Sequence, residues 1–342
     1  MSNRRLGFFS RLLDKATASE RYALATEQIV NAERHGFDSA WVAQHHFHEA
    51  EGGLPAPLVF LAHVAAQTRS IRLGTGIITL PLENAVRVAE DAAVLDLLSG
   101  SRLELGVGSG GTPASFPAFG HESADRGRIF AEHLEILRAA FAGNELLGTE
   151  NRLYPAAPRL AGALWQATFS ASGGQRAGAA GDGLMLSRTQ PRSAEAPRAS
   201  LADLQLPIIE SYLGALPSGA TPKIMGSRTV FIADTHAEAW AHAEVGLRSA
   251  AAHFRKIGHT IDDGNIESLA ASLDSHVGTP DEVAESLAAD ATLQHVTDLV
   301  VQVHSIDPPH AAILRSTELM GTVVGPELGF GAKALEAAGV RG

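Results

Sequence analysis

The feature that most constrains the fold is an alternation of short apolar runs with longer helix-patterned segments along nearly all of the 342 residues. Leu6–Ser10, Ser39–Ala43, Ile71–Leu80, Arg102–Val107, Leu164–Ser170, Leu184–Ser187, Lys223–Ala233 and Asp298–His304 read as strands. Helical periodicity fills Glu20–His35, Leu58–Thr68, Val86–Leu98, Arg128–Phe141, Thr235–Lys256 and Pro309–Met320, and a helix begins in Gln175–Ala180. Parallel strands need a crossover between them, which such alternation supplies. Eight strand-led units without a change of pattern predict an α/β fold, a closed (β/α)8 TIM barrel; an open doubly wound sheet with a second domain is the alternative. Residues 143–163 and 257–278 exceed a minimal barrel. Being rich in Gly, Ala and Asp, they read as insertions within a single domain over 1–342, and as the places to expect a lid. Barrel enzymes carry their chemistry at the C-terminal ends of the strands, so the loops there hold the candidates.

Composition removes several classes. A chain with 27 Lys+Arg against 38 Asp+Glu, net charge −11, does not suit a nucleic-acid backbone or an anionic membrane as partner. The absence of cysteine excludes disulfides, thiolate-bound metals and a thiol nucleophile, and fits a cytoplasmic protein. No apolar stretch approaches the roughly 18 residues of a membrane span. The start, with its two arginines and short apolar run, reads as a first strand rather than a signal peptide.

Three loops carry the motifs. Gly106–Gly111 is a literal G-x-G-x-x-G, but Thr112-Pro113 and Pro117 follow where a dinucleotide fingerprint needs a helix, so a rim loop is expected. Gln44-His45-His46-Phe47-His48-Glu49 follows the second strand. Adjacent histidines in extended chain point to opposite sides, which suits a shared metal poorly, so no metal is expected. They either pack the loop or place an imidazole at the rim for proton transfer. Ser170-Ala171-Ser172-Gly173-Gly174 precedes a helix, where hydroxyls and helix N–H groups suit a phosphate; an ordinary cap by Ser172 is the plainer reading.

Taken with Gly74–Pro81, Val86–Asp91 running to Ser99, and Val277–Val283, these segments resemble the bacterial luciferase-like monooxygenases over residues 5 to about 320. The resemblance implies a TIM-barrel flavoenzyme that uses reduced FMN and dioxygen to oxygenate a small organic substrate through a C4a-peroxyflavin. It also implies a dimer and a separate flavin reductase. By the same resemblance His45 is the catalytic histidine beside the flavin, and His46 meets the partner subunit opposite the residue matching Glu90. Gly76–Ile77 is a non-prolyl cis peptide beneath the flavin ring, and Ser170, Ser172, Gly173 and Gly174 hold the phosphate. Gln44 replaces a glutamate near the flavin, Ser109 a phosphate-contacting arginine and Gly108 a reactive cysteine. Arg126 and Arg188 are candidates for the missing cation, and light emission is not expected. Two other readings remain open: an F420-dependent oxidoreductase on the same barrel, and a flavin-binding protein without turnover.

Overall fold

The computed structural model describes residues 4–256, 260–262, 264–303 and 308–331. Strands β1 (Arg5–Ser10), β2 (Ser39–Val42), β3 (Arg72–Thr75), β5 (Leu103–Gly108), β6 (Leu164–Ala167), β7 (Gly183–Leu186), β8 (Ile224–Ile232) and β10 (Asp298–Gln302) pair in parallel. β10 pairs with both β8 and β1, which closes the eight-stranded barrel. Two short strands lie off this ring. β4 (Ile78–Thr79) pairs with the end of β5, and β9 (Ser275–Gly278) pairs with the last four residues of β8.

The expected single strand Ile71–Leu80 is thus two pieces, β3 and β4, separated at a cis peptide between Gly76 and Ile77. Helices α1 (Ala18–Arg34), α2 (Pro57–Ala65), α3 (Ala85–Leu98), α4 (Arg126–Phe141), α5 (Ala171–Ala179), α6 (Leu201–Ala215), α7 (His236–Lys256), α8 (Ile266–Ser272), α9 (Pro280–Ala288) and α10 (His310–Leu319) account for the crossovers. Sequence periodicity misses α6, whose pattern is interrupted by an internal Pro207. Its capping box between Ser200 and Asp203 was the available start signal. The α5–α6 contact is backbone-close: a Cβ on Gly174 would lie 2.5 Å from the Ile208 carbonyl oxygen, and one on Gly178 would strike that of Tyr212.

The barrel lumen is filled in layers. At the N-terminal end Arg5 pairs with Asp298 at 2.6 Å, Arg72 pairs with Glu104, and Trp165 Nε1 donates to Glu104 at 2.7 Å. Above this polar plug, Trp41 and Trp165 meet edge to face at 5.6 Å, with Met185, Met225 and Val300 around them. Glycines make room for the rings. A Cβ on Gly74 would enter the Trp41 ring, and one on Gly183 the Trp165 ring. Phe9, Ile77 and Ala167 pack on this layer from above and stay partly open to the C-terminal mouth.

The two long segments sit at opposite ends. Residues 143–163 join the end of α4 to the start of β6, and Lys223, at the entrance to β8, donates to the Gly162 carbonyl at 2.8 Å. That segment therefore lies at the N-terminal end, away from where a lid was expected. The described part of 257–278 contains α8 and all of β9, and Asp274 pairs at 2.8 Å with Arg192 in the loop after β7, so it borders the mouth.

Because ring and glycine occupy the same lumen volume, Gly183→Ala should lower stability by about 2 kcal/mol or more through overpacking. Gly127→Ala, in α4 where a Cβ meets open space, should not lower the urea midpoint and should raise it slightly.

Candidate active site

The C-terminal ends of the ring strands meet at the mouth. After β2, Gln44 is buried, and its amide links three segments. Nε2 donates to the Pro55 carbonyl at 3.1 Å and to Glu83 at 2.6 Å, and Oε1 accepts from the Thr79 amide at 2.7 Å. Gln44 thus ties the loop after β2 to β4 and to the start of α3, a positioning role behind the mouth.

His45 follows, anchored by its amide to the Leu54 carbonyl at 3.0 Å. Gly52 lies against the ring, since a Cβ there would come within 2.7 Å of His45 Cδ2. Nδ1 stands 3.8 Å from a Glu51 carboxylate oxygen, which itself accepts from Thr112 Oγ1 at 2.9 Å. Burial, reinforced by the charges of Arg11, His46 and Arg188, pushes the His45 pKa down to about 3. The imidazole is neutral at physiological pH, with a ring N–H to donate.

His46 turns elsewhere. Its ring packs edge-on against Phe119 at 4.8 Å and near Phe47 at 5.8 Å, and burial lowers its pKa. Its Nε2 is buried without a hydrogen-bond partner among the described residues. Glu90, on α3, is held by Arg87. Among the described residues, no three His, Asp or Glu side chains are grouped to hold a metal.

The floor is apolar and close-packed. Phe9 covers Gly76, so a Cβ there would lie 2.7 Å from the Phe9 ring, and one on Gly108 would lie 2.5 Å from Ile77 Cδ1. Ser109 is half-buried at the end of β5. Beyond β6, Ser170 caps α5 by accepting from the Gly173 amide at 3.2 Å, while the Gly174 amide donates to the Ser170 carbonyl. The cap falls on Ser170 rather than Ser172. Both glycine N–H groups are thereby engaged, and a Cβ at Gly173 would strike Thr168. What α5 leaves for an anion are the N–H groups of Ala171 and Ser172, which no helical turn can satisfy, and the exposed hydroxyls of Ser170 and Ser172.

Of the two candidate cations, Arg126 is exposed and bonded to Ser123 at the start of α4. Arg188, at the end of β7, turns across the mouth: Nε donates to Gln302 on β10 and Nη1 to Thr229 on β8 at 3.2 Å. Its charge bears on His45. Sequence reasoning missed Arg11, after β1, whose Nη2 donates to the Glu51 carbonyl. A basic residue directly after a barrel strand was the available signal.

A parallel eight-stranded barrel with this mouth defines a (β/α)8 enzyme scaffold. The family model for luciferase-like monooxygenases matches residues 7–295, and the chain belongs to that family. It is 39% identical over 110 residues to the 4-hydroxyprotoasukamycin monooxygenase of Streptomyces nodosus subsp. asukaensis, covering 32% of this chain and 29% of that protein. It is 31% identical over 100 residues to the oxygenase component of the flavin-dependent trigonelline monooxygenase of Acinetobacter baylyi, covering 29% of this chain and 28% of that one. The matched stretches thus span less than half the length of these curated relatives. The fold is shared over 94% of this chain and 99% of the other with the monooxygenase RslO1 of Streptomyces bottropensis, at TM-score 0.77 and 24% identity. It is also shared over 95% and 98% with the oxygenating constituent of the 3,6-diketocamphane monooxygenase of Pseudomonas putida, solved with FMN, at 0.72 and 20%. An F420-dependent tetrahydromethanopterin reductase of Methanopyrus kandleri has the same barrel, over 95% and 99%, at 0.65 and 18%. Among the described residues, no helix is long and apolar enough to cross a membrane.

Histidines held below their free pKa make the folded state sensitive to acid. His45 is held at about 3, and His276, mainly by burial, at about 4, against 6.5 for the free side chain. The unfolded chain takes up these protons as pH falls below 6.5, before the folded one does, so their contribution to stability is present above 6.5 and lost toward pH 4. Urea midpoints should fall between pH 7 and pH 5, and His276→Gln should make that decline shallower; an unchanged slope in the variant would contradict this assignment.

Proposed function

We propose that the protein is the oxygenase component of a two-component monooxygenase, binding reduced FMN supplied by a separate flavin reductase and oxygenating a small organic substrate. One observation carries the reading: a glycine-lined apolar floor, Phe9, Ile77 and Ala167, opens beside a helix N-terminus with two exposed serines. A flat ring system suits the floor, and a phosphate suits α5, so the residues present fit FMN. Ser170 and Ser172 would hold the phosphate, with the Ala171 and Ser172 N–H groups. Gly76, Ile77 and Gly108 would meet the ring, and Ser109 would border it. When bound, reduced FMN supplies the electrons with which dioxygen is split, one oxygen atom going to substrate and the other to water.

The chain contributes orientation, dryness and a proton partner. His45, kept neutral by burial and neighbouring cations, offers an N–H to a developing negative charge rather than a permanent positive one. Gly52 and the Leu54 carbonyl fix its ring and backbone, and Gln44 fixes the loop that carries it. The apolar floor keeps bulk water from the reacting atoms.

A homodimer belongs to the same proposal. Val94, Leu97 and Leu98 face outward on α3, beyond Glu90, and Val59 is 72% exposed on the adjoining α2. Such a stripe suits a second copy, with His46 and Glu90 near the seam. A reductase drawing on cellular nicotinamide puts the reaction in the cytoplasm.

The test is oxygen uptake with reduced FMN and, separately, with reduced F420, over aldehydes, ketones and sulfonates. Reduced FMN should drive substrate-coupled uptake and F420 should not; coupling to F420 alone would replace this reading by hydride transfer. His45→Ala should leave FMN affinity within about twofold but release more hydrogen peroxide per oxygen consumed. Wild-type coupling in that variant would remove His45 from the chemistry.

A further inference from the structure

The order of strands divides the mouth in two. The residues that fit the flavin stand on four consecutive strands: His45 after β2, Gly76 after β3, Gly108 on β5 and Ser170 after β6. The other four consecutive strands, β7, β8, β10 and β1, bring Arg188, Thr229, Gln302 and Arg11 to the same rim. We infer that this second half is a subsite for a carboxylate of the substrate, anchored by Arg188 with Arg11 as the second cation. The inference rests on the flavin reading for the first half.

Arg188 has the form of an anchor awaiting an anion. It is half-buried and held by two neutral groups, Gln302 Oε1 on Nε and Thr229 Oγ1 on Nη1. These bonds fix the guanidinium while leaving Nη2 without a partner among the described residues. No carboxylate there forms an ion pair with Arg188, nor with Arg11, although the Glu51 carboxylate acts on Arg11 from a distance. Fully buried Arg228, by contrast, pairs with Asp290, and half-buried Arg192 with Asp274. Burial and the charge of Arg11 lower the Arg188 pKa to about 9. A guanidinium keeps its proton under such conditions, so the shift registers an unneutralised charge that a bound anion would relieve.

Gln302 adds a second, independent sign. The alternation along β10 that turns Val300 into the lumen also turns Gln302 there, one layer higher. Its side chain is fully buried, yet Nε2 has no hydrogen-bond partner among the described residues. A buried amide donor beside an unpaired guanidinium is costly unless an acceptor arrives. A planar carboxylate meets both, taking the guanidinium fork on one edge. The FMN phosphate is not that acceptor in this arrangement, because Arg188 reaches toward β8, β10 and His45 rather than along α5.

Calorimetric titration of the purified protein, with and without FMN, using hexanoate and its neutral counterpart hexanamide, tests the assignment. Wild type should bind hexanoate at least about tenfold more tightly than hexanamide, the scale of one charge-assisted contact. Arg188→Gln should erase that preference, Arg188→Lys should restore part of it, and Arg11→Gln should reduce it. A thermal melt shows that each variant is folded, and a separate titration should find FMN affinity in Arg188→Gln within about twofold of wild type. Equal binding of the two probes by wild type, or no binding of either, overturns the subsite. So does an Arg188→Gln variant that loses FMN affinity and keeps the hexanoate preference. A protein that prefers hexanoate but binds no FMN would retain the subsite and lose the flavin reading.

Discussion

The architecture depends on how the barrel lumen is filled. Two tryptophans, Trp41 and Trp165, occupy the middle layer edge to face, a geometry worth about 1 kcal/mol beyond the area it buries. They fit only because Gly74 and Gly183 carry no side chain toward them. With the centre solid and the lower end closed by Arg5, Asp298, Arg72 and Glu104, the partly exposed lumen residues lie at the C-terminal end. The level of the aromatic layer sets the height of Phe9, Ile77 and Ala167, and so the depth of the mouth.

Above that floor, electrostatics shape the site. The chain is acidic overall, yet the mouth gathers Arg11 and Arg188 around His45. Burial holds the imidazole neutral, the two arginines reinforce it, and their local field favours negatively charged ligands against the net charge of the molecule. Glu51 balances it in part, tethered by Thr112 and standing off from His45 Nδ1. A neutral, firmly placed N–H beside two cations is better suited to stabilising an incipient anion than to shuttling protons through an imidazolium.

The eight barrel strands were legible in the sequence because each is a short apolar run bounded by a turn signal. The break inside Ile71–Leu80 was not legible from periodicity, since apolar residues continue across it; resemblance supplied the place of the cis bond at Gly76–Ile77. Helix α6 was hidden by Pro207, and β9 by its position inside a segment taken for an insertion. At the site, His45 and Ser170 were reached through motifs. The small Gly173 and Gly174 permit anion binding, but their smallness is also demanded by Thr168 and by the backbone of α6. Arg11 had a local signal, a basic residue directly after β1, but the orientation of Arg188 had none, because which strand ends face each other across a barrel depends on closure, not on local sequence.

The central claim, that the mouth seats FMN with its phosphate at the start of α5, is tested most directly by comparing FMN with riboflavin in equilibrium titrations. Wild type should prefer FMN by at least about tenfold, and the Ser170→Ala, Ser172→Ala double variant should lose most of that preference while binding riboflavin as before. Equal affinity for FMN and riboflavin in wild type would contradict the account.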